Sequence, residues 1–169
     1  MTSYVALLRA VNVGGSGKLP MSELKAMCEA AEFENVRTYI ASGNALFHSR
    51  LDEQSIRKKL EQQLADYAGK PVGVLVRTAD EMAGVLADNP FPEEPGNRVV
   101  AIFLDFEPSA TAWNEVTGKK AERLALGRRE IYVHYGEGLA DSRLRIPAAK
   151  AGTARNMNTV AKLSSLAAK

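Results

Sequence analysis

Val36-Arg37-Thr38-Tyr39-Ile40-Ala41-Ser42-Gly43-Asn44-Ala45-Leu46-Phe47-His48 carries the reading of the fold. Residues 36–40 form a β-rich run, Ser42-Gly43-Asn44 is a tight-turn signal, and residues 45–48 read as the returning strand. A helical pattern flanks this hairpin on each side. Upstream, Met21, Leu24, Met27, Cys28 and Ala31 recur at helical spacing behind Pro20, a residue favoured at the first helical position. Downstream, Asp52 can cap a helix whose apolar face is Ile56, Leu60, Leu64 and Tyr67. Residues 4–11 and 72–76 read as the first and fourth strands, the first of them central in the sheet. The order over residues 4–77 is therefore β-α-β-β-α-β. That is the order of the ferredoxin-like αβ plait, an α+β fold with helices on one face of an antiparallel sheet.

Side chains alternate across a strand. On this register Ala6, Leu8, Val36, Ile40, Ala45, Phe47, Val74 and Val76 face the helices. Leu7, Arg9, Arg37, Tyr39, Leu46, His48, Leu75 and Arg77 share the other face.

The remainder reads as a second, diverged plait-like half. Thr78 and Glu81 form a capping box that opens a short helix over Met82, Val85 and Leu86. The proline-rich stretch 89–96 is expected to connect a half spanning 1–88 to one spanning 97–169. A strand at 99–104 is followed by a helix capped by Ser109 and carrying Trp113 and Val116. Residues 123–126 and 131–133 flank a hairpin signal at Gly127-Arg128-Arg129. A C-terminal helix is expected from about Thr153, with Met157, Val160, Leu163 and Leu166 on one face. The second half is thus β-α-β-β-α, lacking the last strand of the first.

Bulk composition narrows the function classes. The chain has 169 residues, 46% of them hydrophobic and 25% charged, which suits a globular protein with a sizeable core. It has no run of 18 apolar residues and no basic, cleavable leader at its N-terminus, so neither a membrane span nor secretion is expected. With one cysteine, Cys28, no intramolecular disulfide can form, and a cytoplasmic location is expected. Two histidines and one cysteine argue against a zinc site, and no metal or cofactor is expected. The net charge of +2 is too mild for a nucleic-acid binder as a whole, so any basic function must come from local placement.

The segment Leu7-Leu8-Arg9-Ala10-Val11-Asn12-Val13-Gly14-Gly15 breaks from an apolar strand into an Asn/Gly loop. With Ser16-Gly17-Lys18 it invites a phosphate-loop reading, but Asn12 occupies the first glycine position and Leu19 replaces the hydroxyl residue. A plait supplies another reading. Its first two strands run the same way, so the loop after the first strand and the turn between the second and third share one end of the sheet. Arg9, Asn12, Gly14, Gly15, Ser42, Gly43 and Asn44 would then form a patch of guanidinium, amide, hydroxyl and backbone N–H groups suited to a carboxylate or phosphate. Tyr39 and Arg77 are secondary candidates, and Arg155 and Asn156 join if the last helix docks there. The expected partner is an anionic small molecule. One alternative is nucleic-acid binding on the plait face. Against it, Phe47 falls on the helix side and a single tyrosine makes no stacking platform. Another alternative is a structural or protein-interaction module. No catalytic base, nucleophile or metal constellation is identifiable, which leans against an enzyme and leaves the question open.

The chain resembles the domain of unknown function family numbered 1697, small bacterial proteins without an assigned activity. The matching segments are 7–15, Pro20-Met21-Ser22-Glu23-Leu24, Tyr39-Ile40-Ala41-Ser42-Gly43-Asn44, Val76-Arg77-Thr78, Asn89-Pro90-Phe91, and Thr153-Ala154-Arg155-Asn156-Met157-Asn158-Thr159-Val160. Met157 stands where the family usually has tryptophan, and the stretch 145–150 is shorter than usual. The resemblance implies two ferredoxin-like halves and no particular substrate. It places Arg9, Asn12, Gly14, Ser42, Gly43, Asn44, Arg77, Arg155 and Asn156 at signature positions.

Overall fold

Strand β1 (Thr2–Leu8) lies at the centre of its sheet, with β3 (Asn44–Ser49) on one side and β4 (Val74–Thr78) on the other, both antiparallel to it. β2 (Glu34–Thr38) completes the order β2-β3-β1-β4. The structure is a computed structural model, described here for residues 1–9, 19–40, 43–109, 115–136, 142–150 and 152–168. Over the described residues it is a mixed α+β fold with four α-helices and two four-stranded antiparallel sheets. The chain divides into two compact units, Met1–Met82 with Leu163–Lys169, and Ala83–Lys162.

In the first unit α1 (Met21–Ala30) follows β1, and α2 (Glu53–Ala68) lies between β3 and β4. Leu24, Met27 and Cys28 of α1 and Ile56, Leu60 and Leu64 of α2 bury against Ala6, Leu8, Val36, Ala45, Phe47, Val74 and Val76. The alternation expected for those strand residues is therefore present, and Phe47 stacks on Phe33 at 4.3 Å between ring centroids. The Asp52 cap also forms, with Ser55 N donating to Asp52 Oδ1 at 2.8 Å. That backbone hydrogen bond, followed by the Ser55 side chain, holds the Asp52 carboxyl below its usual range. Gly69 ends α2 in the left-handed conformation. Three details differ from the sequence reading. Pro20 is the residue before α1 rather than its first residue. Tyr67 is exposed, because the stripe narrows at the end of α2. Ile40 lies beyond β2 with a φ of 51° and is 49% exposed, so it does not face the helices.

α3 (Ala79–Ala87) starts from the expected capping box: Glu81 N donates to Thr78 Oγ1 at 3.1 Å, and Thr78 N to Glu81 Oε1 at 2.8 Å. The second sheet has the order β6-β7-β5-β8, built from β5 (Val99–Phe103), β6 (Arg123–Leu126), β7 (Glu130–His134) and β8 (Thr153–Asn156). β8 corrects the expectation that the last helix begins near Thr153 and that this half lacks a fourth strand. Thr153, Ala154, Arg155 and Asn156 pair with Phe103, Ile102, Ala101 and Val100, and α4 (Met157–Ala167) begins only after them. Pairing with β5 outweighs the helical spacing that the later residues project backwards. Most of the helix expected over 109–116 lies outside the described residues. On one face of this sheet Val100, Ile102, Leu104, Ile131 and Val133 cluster with the half-buried Leu144, Ile146, Ala148 and Ala149.

The two sheets repeat one register. Val5 pairs with Leu46 and Arg77, while Ala101 pairs with Tyr132 and Arg155. His48 pairs with Ser3, and His134 with Val99. Each arginine precedes a helix-capping residue, Thr78 before α3 and Asn156 before α4, where Thr159 N donates to Asn156 Oδ1 at 2.9 Å.

Candidate functional site

β3 and β4 both begin where β1 ends, because both run antiparallel to it. Two backbone bonds lock that end. Leu8 N donates to Gly43 O and Arg9 N to Gly73 O, each at 2.9 Å. The turn after β2 and the loop before β4 are thereby brought to opposite flanks of Arg9. The Arg9 stem lies over Gly73, where an added Cβ would stand 2.9 Å from Arg9 Cδ and 3.4 Å from Arg9 Cγ. Gly73 is thus the residue that leaves room for this arginine, which is itself half-buried.

Asn44 is fully buried, and its side-chain Nδ2 donates to Tyr39 O at 2.9 Å while its backbone O accepts from Tyr39 N at 3.1 Å. It clamps the turn from both sides. Gly43 within that turn has a φ of 87°. Ile40 on the same turn is a β-branched residue with positive φ, a conformation that costs of order 1–3 kcal/mol and recurs at ligand clamps. Asn12, Gly14, Gly15 and Ser42 lie outside the described residues. Of the expected patch, the structure brings Arg9, Gly43 and Asn44 to one end of the first sheet, with half-buried Tyr39 on the same turn.

Arg77 and Arg155 are elsewhere. Arg77 is 1% exposed at mid-sheet, with Nη1 donating to Val76 O at 3.1 Å. Arg155, 7% exposed, donates from Nη1 to Ala154 O at 2.9 Å and to Thr153 Oγ1 at 2.8 Å. Burial pulls the Arg155 guanidinium down to about 10, still charged at neutral pH. Arg155 and Asn156 sit on β8, not at the start of a helix. Leu7, Leu46 and Leu75 share the Arg77 face and are buried with it, so base stacking there would first have to expose them.

A constellation in the second unit was not legible in the sequence. His134 of β7 and Arg123 of β6 are cross-strand partners. Glu94 from the proline-rich stretch reaches both, with Arg123 Nη2 at 2.9 Å from Glu94 Oε1 and His134 Nε2 at 3.2 Å from Glu94 Oε2. His134 Nε2 is buried and has no aligned hydrogen-bond partner, so its approach to Glu94 is one of distance alone. The Arg123 guanidinium lies 4.9 Å above the Phe91 ring, and Phe91 N is held by Asn89 Oδ1 at 2.9 Å. Asn89-Pro90-Phe91 lies in the stretch expected to be a connection, and Arg123, which stacks on Phe91, lies 32 residues further along the chain.

The profile of a family described as "Protein of unknown function (DUF1697)" matches residues 1–132. The chain belongs to the DUF1697 family. Among solved structures, this DUF1697 chain is similar to the conserved bacterial protein SP0830 from Streptococcus pneumoniae, with a TM-score of 0.80, 23% identity and 98% of each chain covered. At that identity the likeness speaks for the fold alone. No curated protein matches the DUF1697 chain. Among the described residues no helix is long and apolar enough to cross a membrane, and no group of three or more His, Cys, Asp or Glu is placed to hold a metal ion.

Proposed function

We propose that this protein binds a small anion, a carboxylate or phosphate, at the end of the first sheet where β1 gives way to the Asn/Gly loop. The observation that carries the reading is the pair of backbone bonds from Leu8 to Gly43 and from Arg9 to Gly73, which holds Arg9 between two glycine-bearing loops. Arg9 pairs with the anion, and Asn12, Gly14, Gly15 and Ser42 contribute amide, backbone and hydroxyl groups around it. Asn44 acts through the turn it clamps. The element order β1-α1-β2-β3-α2-β4 and the strand order β2-β3-β1-β4 support a ferredoxin-like plait for this unit, and the repeated register supports a diverged second copy.

Thermal unfolding with inorganic phosphate, a nucleoside monophosphate and a dicarboxylate tests the reading. A ligand present at 100 times its Kd stabilises by about 2.7 kcal/mol, a rise in Tm of about 5–10 °C. Arg9→Gln removes the charge. Gly73→Ala leaves every charge in place and displaces the Arg9 stem from its seat. Both variants are expected to lose the shift. A shift retained in Arg9→Gln, or no shift with any of the three ligands, overturns the assignment.

A further inference from the structure

Glu94 is presented by a stretch whose shape is set locally. Pro90, Pro92 and Pro95 each fix a φ angle. Phe91 N is held by Asn89 Oδ1 at 2.9 Å, Glu94 N donates to Phe91 O at 3.1 Å, and Arg98 N donates to Pro95 O at 2.9 Å. Side chains from this stretch meet the second sheet at one corner. The Phe91 ring lies 5.8 Å from the His134 ring between centroids, and Arg123 stands 4.9 Å above Phe91. Glu94 Oε1 pairs with Arg123 Nη2 at 2.9 Å, and Glu94 Oε2 is 3.2 Å from His134 Nε2. The same Arg123 Nη2 lies 3.4 Å from His134 Nδ1. An arginine only donates, so Nδ1 is the acceptor in that contact. The proton of the neutral ring then sits on Nε2, close to Glu94 but out of line with it.

A second proton on this ring goes to Nδ1, which faces the guanidinium. Two cations would then stand 3.4 Å apart beside one carboxylate. Burial decides which of them gives way. The Arg123 side chain is 53% exposed on the edge strand β6 and turns into water at little cost. The His134 side chain is 10% exposed on the inner strand β7 and has no such freedom. Val99 of β5, the other cross-strand partner of His134, is uncharged. Tyr132, two residues earlier on the same face of β7, is bonded through its hydroxyl to Val85 O of α3. Farther out lie Glu130 and Asp88, acidic groups whose charges reach Tyr132, and Arg98, whose carbonyl accepts from Tyr135 N at 3.0 Å. Glu94 is thus the carboxylate within contact distance of the ring, and Arg123 the cation.

We infer that His134 is a proton-operated switch in this clasp: protonation passes Glu94 from Arg123 to the imidazolium and releases the Arg123 side chain from the Phe91 ring. At neutral pH the proline-rich stretch is fastened to β6, and in acid it is fastened to β7. The switch lies in the second unit and is independent of the anion site in the first. Long-range 1H–15N NMR of the imidazoles, titrated from about pH 8 to about pH 5, reads it. The chain has two histidines, so the ring signals that persist in His48→Gln are those of His134. The His134 ring is expected as the Nε2–H tautomer at the start of the titration and as the imidazolium at its end. Glu94→Gln lowers the proton affinity of the ring and Arg123→Gln raises it, each by about three- to tenfold, since both side chains are more than a third exposed and screened by solvent. The upfield displacement of the Arg123 side-chain protons by the Phe91 ring disappears with the same midpoint. Unchanged amide dispersion shows that the variants are folded. An Nδ1–H tautomer, or a ring that stays neutral down to about pH 5, overturns the inference. So do two variants that shift the midpoint in the same direction or by less than about twofold, and an Arg123–Phe91 contact that persists through the titration.

Discussion

Truncating Asn44 separates a structural signature residue from a ligand-binding one. The side chain is fully buried, and its Nδ2 is 2.9 Å from Tyr39 O. In Asn44→Ala that carbonyl loses its donor at a site where water does not readily replace it, a cost of about 1–3 kcal/mol. The small void left behind adds to this, so about 2 kcal/mol is a fair central figure. For a chain of this length that lowers Tm by about 4–8 °C. Asn44→Asp keeps the shape and turns a donor into a second acceptor facing the carbonyl, so it should cost more than alanine. Thermal unfolding by circular dichroism, without any ligand, reads both. If Asn44→Ala lowers Tm by less than about 1 °C, the clamp does not hold the turn. The reasoning that assigns Asn44 to the fold, and Arg9 to the ligand, would then fail.

Cys28 is buried in the first core, and burial, with Glu29 beside it, pushes its thiol up to about 12. Iodoacetamide at pH 8 should therefore label the folded chain only at the rate of its opening, and fast labelling in native buffer would contradict the burial. Because the folded thiol ionises later than the unfolded one, its contribution is complete below the unfolded value and lost as pH rises toward about 12. Cys28→Ala should flatten the alkaline fall in Tm. Tyr132→Phe removes the 2.7 Å bond from its hydroxyl to Val85 O and should cost about 1–2 kcal/mol, read as Cm in urea at unchanged m-value. Asp52→Ala removes the cap of α2, so the parent's stability lost as pH falls through the depressed Asp52 value should be absent in the variant. Acid titrations of both, followed by helical ellipticity, check this.

Much of the first unit was legible because its signals are local. The helical stripes of α1 and α2, the period of two in β1, β3 and β4, the Asp52 cap and the Thr78–Glu81 box each depend on residues within a few positions of one another. β8 was not legible, because Thr153-Ala154-Arg155-Asn156 becomes a strand only by pairing with β5, fifty residues earlier. The Glu94–Arg123–His134 cluster was hidden for the same reason: about forty residues of chain separate its ends, and only the β6–β7 register closes the gap.

The sequence by itself determined the order of elements in the first unit and the residues that fill its core, since periodicity and capping are properties of neighbouring residues. It also determined that the Arg9 segment and the 42–44 turn should share one end of a sheet. Tertiary structure alone decided which polar groups are committed. Asn44 clamps a turn, Arg77 and Arg155 are buried at matching register, and Glu122 is committed to Lys120 N and Ser142 Oγ. Hydrogen bonding and burial are set by partners distant in the chain, and those partners determine whether a polar side chain serves the fold or remains available to bind.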